Sequence, residues 1–109
     1  MPAPAWTADL LRAVDTGDTD AFLGFLTDEP RFVFGNAPAI EGRDALREVL
    51  DGFFASIDHS EHEIIEGWEV DDAVIIRGRV TYFRLDGSTY TVPFANVFKL
   101  EGGQIRDYL

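Results

Sequence analysis

The sequence predicts an α+β fold, in which helices and strands occupy separate parts of the chain. Hydrophobic residues recur at helical spacing near the N-terminus and again across 43–57. From His59 onward the pattern is that of extended chain, divided by turn signals into four strands. Such segregation is typical of α+β proteins rather than of alternating βαβ units. With 109 residues, 46% of them hydrophobic, the chain is expected to form one domain, 1–109, with one core.

The N-terminal third predicts two short helices and a short strand. Thr7 is the expected N-cap of the first helix, which ends near Gly17 because glycine tolerates a left-handed C-cap. The second helix begins at 18–19, and its apolar residues at helical spacing continue until Pro30 ends it. Residues 31–34 then predict a short strand.

A long amphipathic helix and four long strands are expected in the rest of the chain. Residues 35–42 predict a loop by their Gly, Asn and Pro content. The apolar stripe of the helix that follows consists of Leu46, Val49, Leu50, Phe53 and Ile57. The strands are expected at about 60–69, 73–84, 89–100 and 104–109, with turns at 70–72, 86–87 and 101–103. Long strands can curl around a helix only if the sheet bends, and its inner face then becomes a pocket.

The charge balance and composition exclude several classes of partner and site. Twenty acidic residues against nine basic ones give a formal net charge of −11, which repels nucleic-acid phosphates and anionic membrane surfaces. The lack of cysteine excludes disulfides, thiolate nucleophiles and zinc–cysteine sites. No apolar run is long enough to span a membrane, and no signal-peptide pattern is visible. We therefore expect a cytoplasmic domain that binds neither nucleic acid nor membrane.

A His-Ser-Glu-His-Glu segment at the start of the first long strand is the most metal-like cluster. On a strand, His59, Glu61 and Glu63 share one face while His62 points to the other side. Three such ligands could hold zinc. The segment also lies in an acidic stretch, 58–72, with seven carboxylates and no Lys or Arg, which is typical of a solvated strand. We favour the solvated strand and predict no metal and no other cofactor.

Two groups of polar residues on the long strands have alternative explanations. Arg77 and Arg79 share a strand face, which is either solvated or points inward toward a carboxylate partner such as Asp107. Asn96 is the single amide on an aromatic face, so it is either a satisfied core residue or a ligand-orienting group in a cavity. A structural role for Asn96 is favoured. That face consists of Tyr90, Val92, Phe94, Asn96, Phe98 and Leu100.

Five motifs occur in an order that covers nearly the whole chain. They are Arg-Phe-Val-Phe-Gly-Asn-Ala-Pro from Arg31, Glu-Gly-Arg-Asp-Ala-Leu-Arg from Glu41, Tyr-Phe-Arg-Leu-Asp-Gly from Tyr82, Val-Pro-Phe-Ala-Asn-Val-Phe from Val92 and Gly-Gln-Ile-Arg-Asp-Tyr from Gly103. In this order they resemble the nuclear transport factor 2-like superfamily, most of all its SnoaL-like (polyketide cyclase-like) and limonene-epoxide-hydrolase-like branch. The resemblance implies a cone-shaped α+β barrel, a curved sheet wrapped around the long helix, an apolar pocket and a homodimer through the outer sheet face.

The resemblance also implies a partial catalytic constellation. Epoxide hydrolases of this type use a carboxylate base in the last strand, and the Arg-Asp-Tyr sequence near the C-terminus places that role on Asp107. Arg79 matches the arginine that orients the base, whereas Thr81 stands at the position of the general acid. Asn36 keeps the amide that holds water, and Phe34 replaces a tyrosine. Because a hydroxyl does not donate a proton as a carboxylic acid does, the chain departs from the usual epoxide hydrolysis.

Two functions of different classes follow from these residues. In the first, the domain is a cofactor-independent hydrolase, cyclase or isomerase, with Asp107 as general base, Arg79 orienting it and Asn36 fixing water or a substrate oxygen. Its substrate is a small apolar or polyketide-like molecule, in a pocket lined by Phe34, Thr81, Phe83, Phe94, Asn96 and Phe98. In the second, the domain binds a ligand or dimerises without catalysis, and Arg79 and Asp107 form a structural ion pair. The first function is favoured.

Overall fold

The computed structural model describes residues 3–109, and within them three helices pack against one six-stranded sheet. The helices are α1 (Ala5–Asp15), α2 (Thr19–Leu23) and α3 (Arg43–Ser56). The strands are β1 (Leu26–Phe32), β2 (Ile40–Glu41), β3 (Ile57–Val70), β4 (Ala73–Arg84), β5 (Thr89–Glu101) and β6 (Gln104–Tyr108). The predicted α+β class is confirmed, and the four long strands lie where the sequence predicts them to within three residues at each end.

The sheet is curved and unclosed, with the strand order β2-β1-β6-β5-β4-β3. From β3 to β6 each strand pairs antiparallel with the next, which confirms the predicted meander. β1 instead runs parallel to β6, and it pairs antiparallel with the two-residue β2. Gly87, with φ +87°, lies in the hairpin between β4 and β5, where a backbone angle of this sign favours glycine.

The two faces of the sheet differ in burial, as the period of two in a strand requires. We call the face that packs against the helices the inner face and the opposite one the outer face. In β4, Val74, Ile76 and Val80 are buried on the inner face, whereas Arg77 and Arg79 are exposed on the outer face. Of the two alternatives for these arginines, the structure therefore shows the solvated one.

The core fills the space between the inner face and the helices. Its helix side comes from α1, α2 and α3 and its sheet side from β1, β4, β5 and β6. The fully buried members include Leu10, Phe22, Leu23, Leu26, Leu46, Ile76, Phe98 and Ile105. Aromatic rings join the layers, since Phe98 contacts both Trp6 and Tyr108 with ring centroids 5.7 and 4.9 Å apart. Across residues 3–109, every helix is too short or too polar to cross a membrane.

The start of α1 differs from the prediction. The helix begins at Ala5, with Pro4 at the N-cap position, so Thr7 lies inside the first turn rather than capping it. The Thr7 hydroxyl donates a 2.6 Å hydrogen bond to the Pro4 carbonyl, and the residue is fully buried. Proline near a helix start costs no hydrogen bond, because the first N–H groups of a helix lack partners within the helix.

The boundary between α2 and β1 was also predicted wrongly. α2 ends at Leu23, and β1 already begins at Leu26, so Pro30 lies inside a strand instead of ending a helix. Leu26 has helical spacing from Phe22, but it is buried through its parallel pairing with β6. The register with β6 is irregular between Leu26 and Arg31, which is where a residue without an N–H is tolerated in a sheet.

Candidate functional site

A cavity of about 450 Å³ lies between the inner face of the sheet and α3. Its lining includes the segment that follows β1, with Phe34, and Val49 of α3, and both of these side chains are exposed. Aromatic rings make up much of its wall, namely Phe22, Phe32, Phe34, Phe53, Phe54, Phe94, Tyr82 and Tyr108. A concave apolar volume of this size is in the range that binds small organic molecules in proteins.

A histidine–aspartate pair lies at the wall of this cavity. Asp15, the last residue of α1, accepts a 2.5 Å hydrogen bond at Oδ1 from His62 Nδ1, on β3. The backbone N–H of His62 donates to Asp15 Oδ2 at 3.0 Å, and Ser60 Oγ donates to Oδ1 at 2.8 Å. Three donors from one strand therefore hold the carboxylate, and the carboxylate in turn orients the imidazole.

The other ring nitrogen of His62 is available to a ligand. His62 lines the cavity, and its ring packs edge-on against Phe94 with centroids 5.0 Å apart. Within residues 3–109, Nε2 has no hydrogen-bond partner, and no polar side-chain atom is both buried and unpartnered. Nε2 is thus accessible, while Nδ1 is occupied by Asp15.

The Asp15 carboxylate stays ionised despite its partial burial. Burial by itself would raise the pKa of Asp15, but hydrogen bonds from the His62 ring, the His62 backbone and Ser60 outweigh it. The pKa of Asp15 therefore lies below its ordinary value. Because the ionised Asp15 accepts from Nδ1, a ring proton of His62 is held at Nδ1, and Nε2 is the nitrogen left for a ligand.

Two tyrosine side chains bring hydroxyl groups to the same cavity. Tyr82 of β4 is half-buried, and Tyr108 of β6 is buried except at its hydroxyl oxygen; within residues 3–109 neither hydroxyl has a hydrogen-bond partner. Burial raises the pKa of both phenols, and the negative charge of Asp15 raises it further. Both hydroxyls are therefore protonated at neutral pH and able to donate hydrogen bonds to a ligand oxygen.

The structure does not bring Asp107 and Arg79 together. Asp107 lies opposite Lys99 of β5, and Lys99 lies opposite Ala73 of β4, six residues from Arg79. At about 3.3 Å per residue, that offset separates Arg79 from Asp107 by roughly 20 Å along the sheet. Asp107 instead pairs with its neighbour Arg106, at 3.2 Å between Oδ2 and Nη2. The predicted Arg79–Asp107 contact is therefore wrong.

A register irregularity explains why Asp107 is outside the cavity. In a regular strand Ile105 and Asp107 would share a face, because side chains alternate. The pairing with β5 shifts between Lys99 and Leu100, so that Ile105 and Tyr108 are the two buried residues of β6. Asp107 is consequently on the outer face, and it does not line the cavity.

Three other predicted site residues also lie away from the cavity. Thr81 and Phe83 are on the outer face with Arg79, where Thr81 Oγ1 contacts the Thr91 hydroxyl at 2.8 Å. The Phe83 ring stacks on His59, with centroids 4.2 Å apart. Asn36 is exposed in the turn after β1, between two lining residues but not itself in the wall. The predicted grouping of Asn36 with Arg79 and Asp107 is thus absent.

The remaining predicted pocket residues divide between cavity and core. Phe34, Phe94 and Asn96 line the cavity as predicted. The Asn96 amide donates a 3.2 Å hydrogen bond to the Leu109 carbonyl, which agrees with the favoured structural role. Because Asn96 also lines the cavity, its position is consistent with a ligand-orienting role as well. Phe98 is fully buried beneath the Trp6 and Tyr108 rings and belongs to the core instead.

His62 was not among the functional residues predicted from the sequence. The sequence held a signal, since Ser60, His62 and Ile64 alternate with Glu61 and Glu63, which places His62 on the face opposite the two carboxylates. The structure confirms that His62 faces the core side. Its partner Asp15 is 47 positions away in the sequence, at the end of a different element. On the outer face, the residues His59, Glu61 and Glu63 do not form a metal-holding group, and within residues 3–109 no such group of three occurs.

Comparison with known proteins agrees with this architecture. Residues 7–108 match the family model described as a SnoaL-like domain. No curated protein sequence matches the chain. Among solved structures, an NTF2-like protein of unknown function from Burkholderia pseudomallei is similar, at 16% identity and a TM-score of 0.83, over 94% of this chain and 83% of that one.

Two further solved structures are similar over most of their length. One is named as a SnoaL-like polyketide cyclase from Jannaschia sp. CCS1, with 20% identity and a TM-score of 0.77, covering 99% of this chain and 85% of that chain. The other is TerC co-crystallised with polyporic acid, with 18% identity and a TM-score of 0.75, covering 93% and 86%. Identities this low show a shared fold.

Proposed function

We propose that this chain, which belongs to the SnoaL-like domain family, binds a small and largely apolar molecule in its cavity and acts on it by general acid–base chemistry, with His62 as the proton acceptor. The observation that carries the proposal is the pairing of His62 Nδ1 with the Asp15 carboxylate, which leaves Nε2 without a protein partner on a residue that lines the cavity. Acid–base catalysis needs a side chain of this kind, positioned by a third group and within reach of the substrate.

Each polar group at the cavity has a distinct role in this proposal. His62 Nε2 accepts a proton from an activated carbon or a hydroxyl of the substrate, and Asp15 stabilises the imidazolium that results. The Tyr82 and Tyr108 hydroxyls donate hydrogen bonds to the oxygen on which negative charge develops. His62 thus takes the general-base role that the resemblance assigned to Asp107, whose carboxylate is on the outer face.

The substrate class follows the shape and composition of the cavity. The aromatic wall suits an unsaturated ring system. Of the two similar structures described above, one is named as a polyketide cyclase and the other was crystallised with polyporic acid, which is consistent with such ligands. The Thr81 hydroxyl does not line the cavity, so proton donation to an epoxide from that position forms no part of the proposal. A homodimer through the outer face stays a prediction.

A test of the catalytic step does not require the natural substrate. Nitrobenzisoxazole is an uncharged aromatic compound that opens to a coloured phenolate when a base removes its ring C–H proton. We expect the protein to accelerate this opening and the His62→Gln variant to lose most of the acceleration, about 10²-fold or more for a positioned base. His59→Gln is the matched control, because His59 also pairs with an aspartate but lies on the outer face.

The result separates an enzyme from a binding domain. Equal acceleration by the wild type and by His62→Gln would remove His62 from the mechanism, provided that both proteins show the same melting temperature. Retained ligand binding together with that result would instead favour the non-catalytic binding domain.

A further inference from the structure

The cavity wall is mostly apolar and contains only a few polar side chains. Most of the wall consists of aromatic rings and aliphatic side chains, which come from both the helices and the sheet. The polar side chains of the wall are His62 of β3, Tyr82 of β4, Asn96 of β5 and Tyr108 of β6. The Asn96 amide is bonded to the Leu109 carbonyl, whereas the charge of Asp15 and the Tyr82 phenol both raise the pKa of Tyr108. A ligand with one polar end and an aromatic body would fit this distribution.

Charged side chains are missing from the wall. Within the described residues 3–109, no Lys, Arg, Asp or Glu side chain lines the cavity. Arg12, the cation nearest to the histidine–aspartate pair along α1, does not line the cavity; it lines a neighbouring cleft together with Asp15 and His62, and it pairs with Asp9 at 3.2 Å. An anionic ligand would therefore be buried without a cation to balance it, which is costly in an apolar site.

The negative charge of Asp15 also disfavours an anionic ligand. The Asp15 carboxylate is ionised, and it raises the pKa of both tyrosines, so that the potential at the polar end of the cavity disfavours a second negative charge. The hydroxyls of Tyr82 and Tyr108 and the nitrogen of His62 nevertheless offer hydrogen bonds to a neutral oxygen.

From this arrangement we infer that the cavity selects an uncharged aromatic molecule bearing a hydroxyl or carbonyl oxygen at one end, and that it rejects the carboxylate of the same ring system. The inference rests on the proposed function, because it specifies the ligand of the same cavity. It assigns the selection to the lack of a wall cation rather than to the size of the ligand.

Two probes of the same ring system test the selection. Naphthol is uncharged at neutral pH, whereas naphthoate carries one negative charge on a similar skeleton. We expect naphthol to bind at least tenfold more tightly than naphthoate to the wild-type protein, as measured by isothermal titration or by ligand fluorescence. The measurement is made at high salt, where the net charge of −11 no longer repels the anion over long range.

A matched pair of variants places a cation inside or outside the cavity. Val92 lines the cavity on β5, whereas its neighbour Thr91 is exposed on the outer face. Val92→Lys is expected to tighten naphthoate binding at least tenfold and to reverse the preference. Thr91→Lys adds the same charge to the protein and is expected to leave both affinities within about twofold of the wild type, since exposed charges are strongly screened.

Each outcome decides the inference. Naphthoate binding as tight as that of naphthol in the wild type overturns the inference and leaves the proposed function standing. Binding of neither probe overturns both. An equal gain in naphthoate affinity from Thr91→Lys and Val92→Lys also overturns the inference, because the selection would then reflect net charge rather than the cavity wall. If Val92→Lys unfolds, Phe94→Lys on the same face replaces it.

Discussion

Two histidines on the same strand, each paired with an aspartate, show how the faces of the sheet differ. His59 pairs with its chain neighbour Asp58 at 2.6 Å, and these side chains are 41% and 67% exposed. His62, three residues later, pairs with Asp15 at 2.5 Å, and these side chains are 10% and 20% exposed. The chemical groups are the same, but only the inner pair has further donors on its carboxylate and a cavity beside its ring.

The comparison indicates that burial, rather than residue type, separates the pairs. An exposed ion pair competes with water and contributes little to folding or to catalysis. A buried carboxylate with three donors is fixed in position, and its removal leaves those donors without a partner. Orientation of the kind that acid–base catalysis requires is therefore available on the inner face of β3 and not on its outer face.

The largest expected effect is the difference in the free energy of unfolding between removing the aspartate of the buried pair and removing that of the exposed pair. Asp15→Ala leaves the His62 ring, the His62 backbone N–H and the Ser60 hydroxyl without their acceptor, and we expect a loss of about 2–3 kcal/mol in the free energy of unfolding. Asp58→Ala should cost at most about 0.5 kcal/mol. Chemical denaturation of the two variants measures both values. Equal losses would show that burial does not distinguish the pairs.

A smaller effect is expected in the pH dependence of stability at acidic pH. Because the pKa of Asp15 is lowered in the folded protein, its contribution to stability is complete above the ordinary carboxyl pKa of 3.8 and is lost as the pH falls through the lowered value. The difference in stability between the wild type and Asp15→Asn should therefore be largest near neutral pH and shrink in strong acid. Urea denaturation at several pH values measures it, and a difference independent of pH would contradict the role of the carboxylate charge.

The smallest effect is expected at Asp107, the carboxylate to which the sequence motifs assigned the role of general base. Asp107 pairs with its chain neighbour Arg106 near the surface, so Asp107→Asn should change the free energy of unfolding by less than about 1 kcal/mol. The acceleration of nitrobenzisoxazole opening should stay unchanged, in contrast to His62→Gln. A loss of about 3–5 kcal/mol would instead indicate a buried ion pair, and loss of the acceleration at an unchanged melting temperature would return the general-base role to Asp107.

Much of the fold could be predicted, because it depends on local periodicity. The alternation in β4 and β5 is visible in the sequence, and the turn residues around Gly87 mark where one strand ends and the next begins. The error at β1 arose because Phe22 and Leu26 have helical spacing although they belong to different elements. Spacing over so few residues does not distinguish a helix from a turn and a strand.

The candidate site was less predictable, because it depends on register and on distant contacts. Alternation from Ile105 would place Asp107 on the inner face, but one shift in the β5–β6 register turns it outward and turns Tyr108 inward. The match of Arg79 to a family position likewise carried no information about its face, and Arg79 lies on the outer side of β4.

The sequence by itself determined the α+β class, the order of the helices and the antiparallel meander, since each follows from hydrophobic period and turn residues within a few positions. Only the tertiary structure decided which carboxylate pairs with which histidine. Asp15 reaches His62 because α1 packs against β3, a contact between residues 47 positions apart. Local propensity does not encode such a contact, which forms when packing of the apolar core fixes the position of the helix over the sheet.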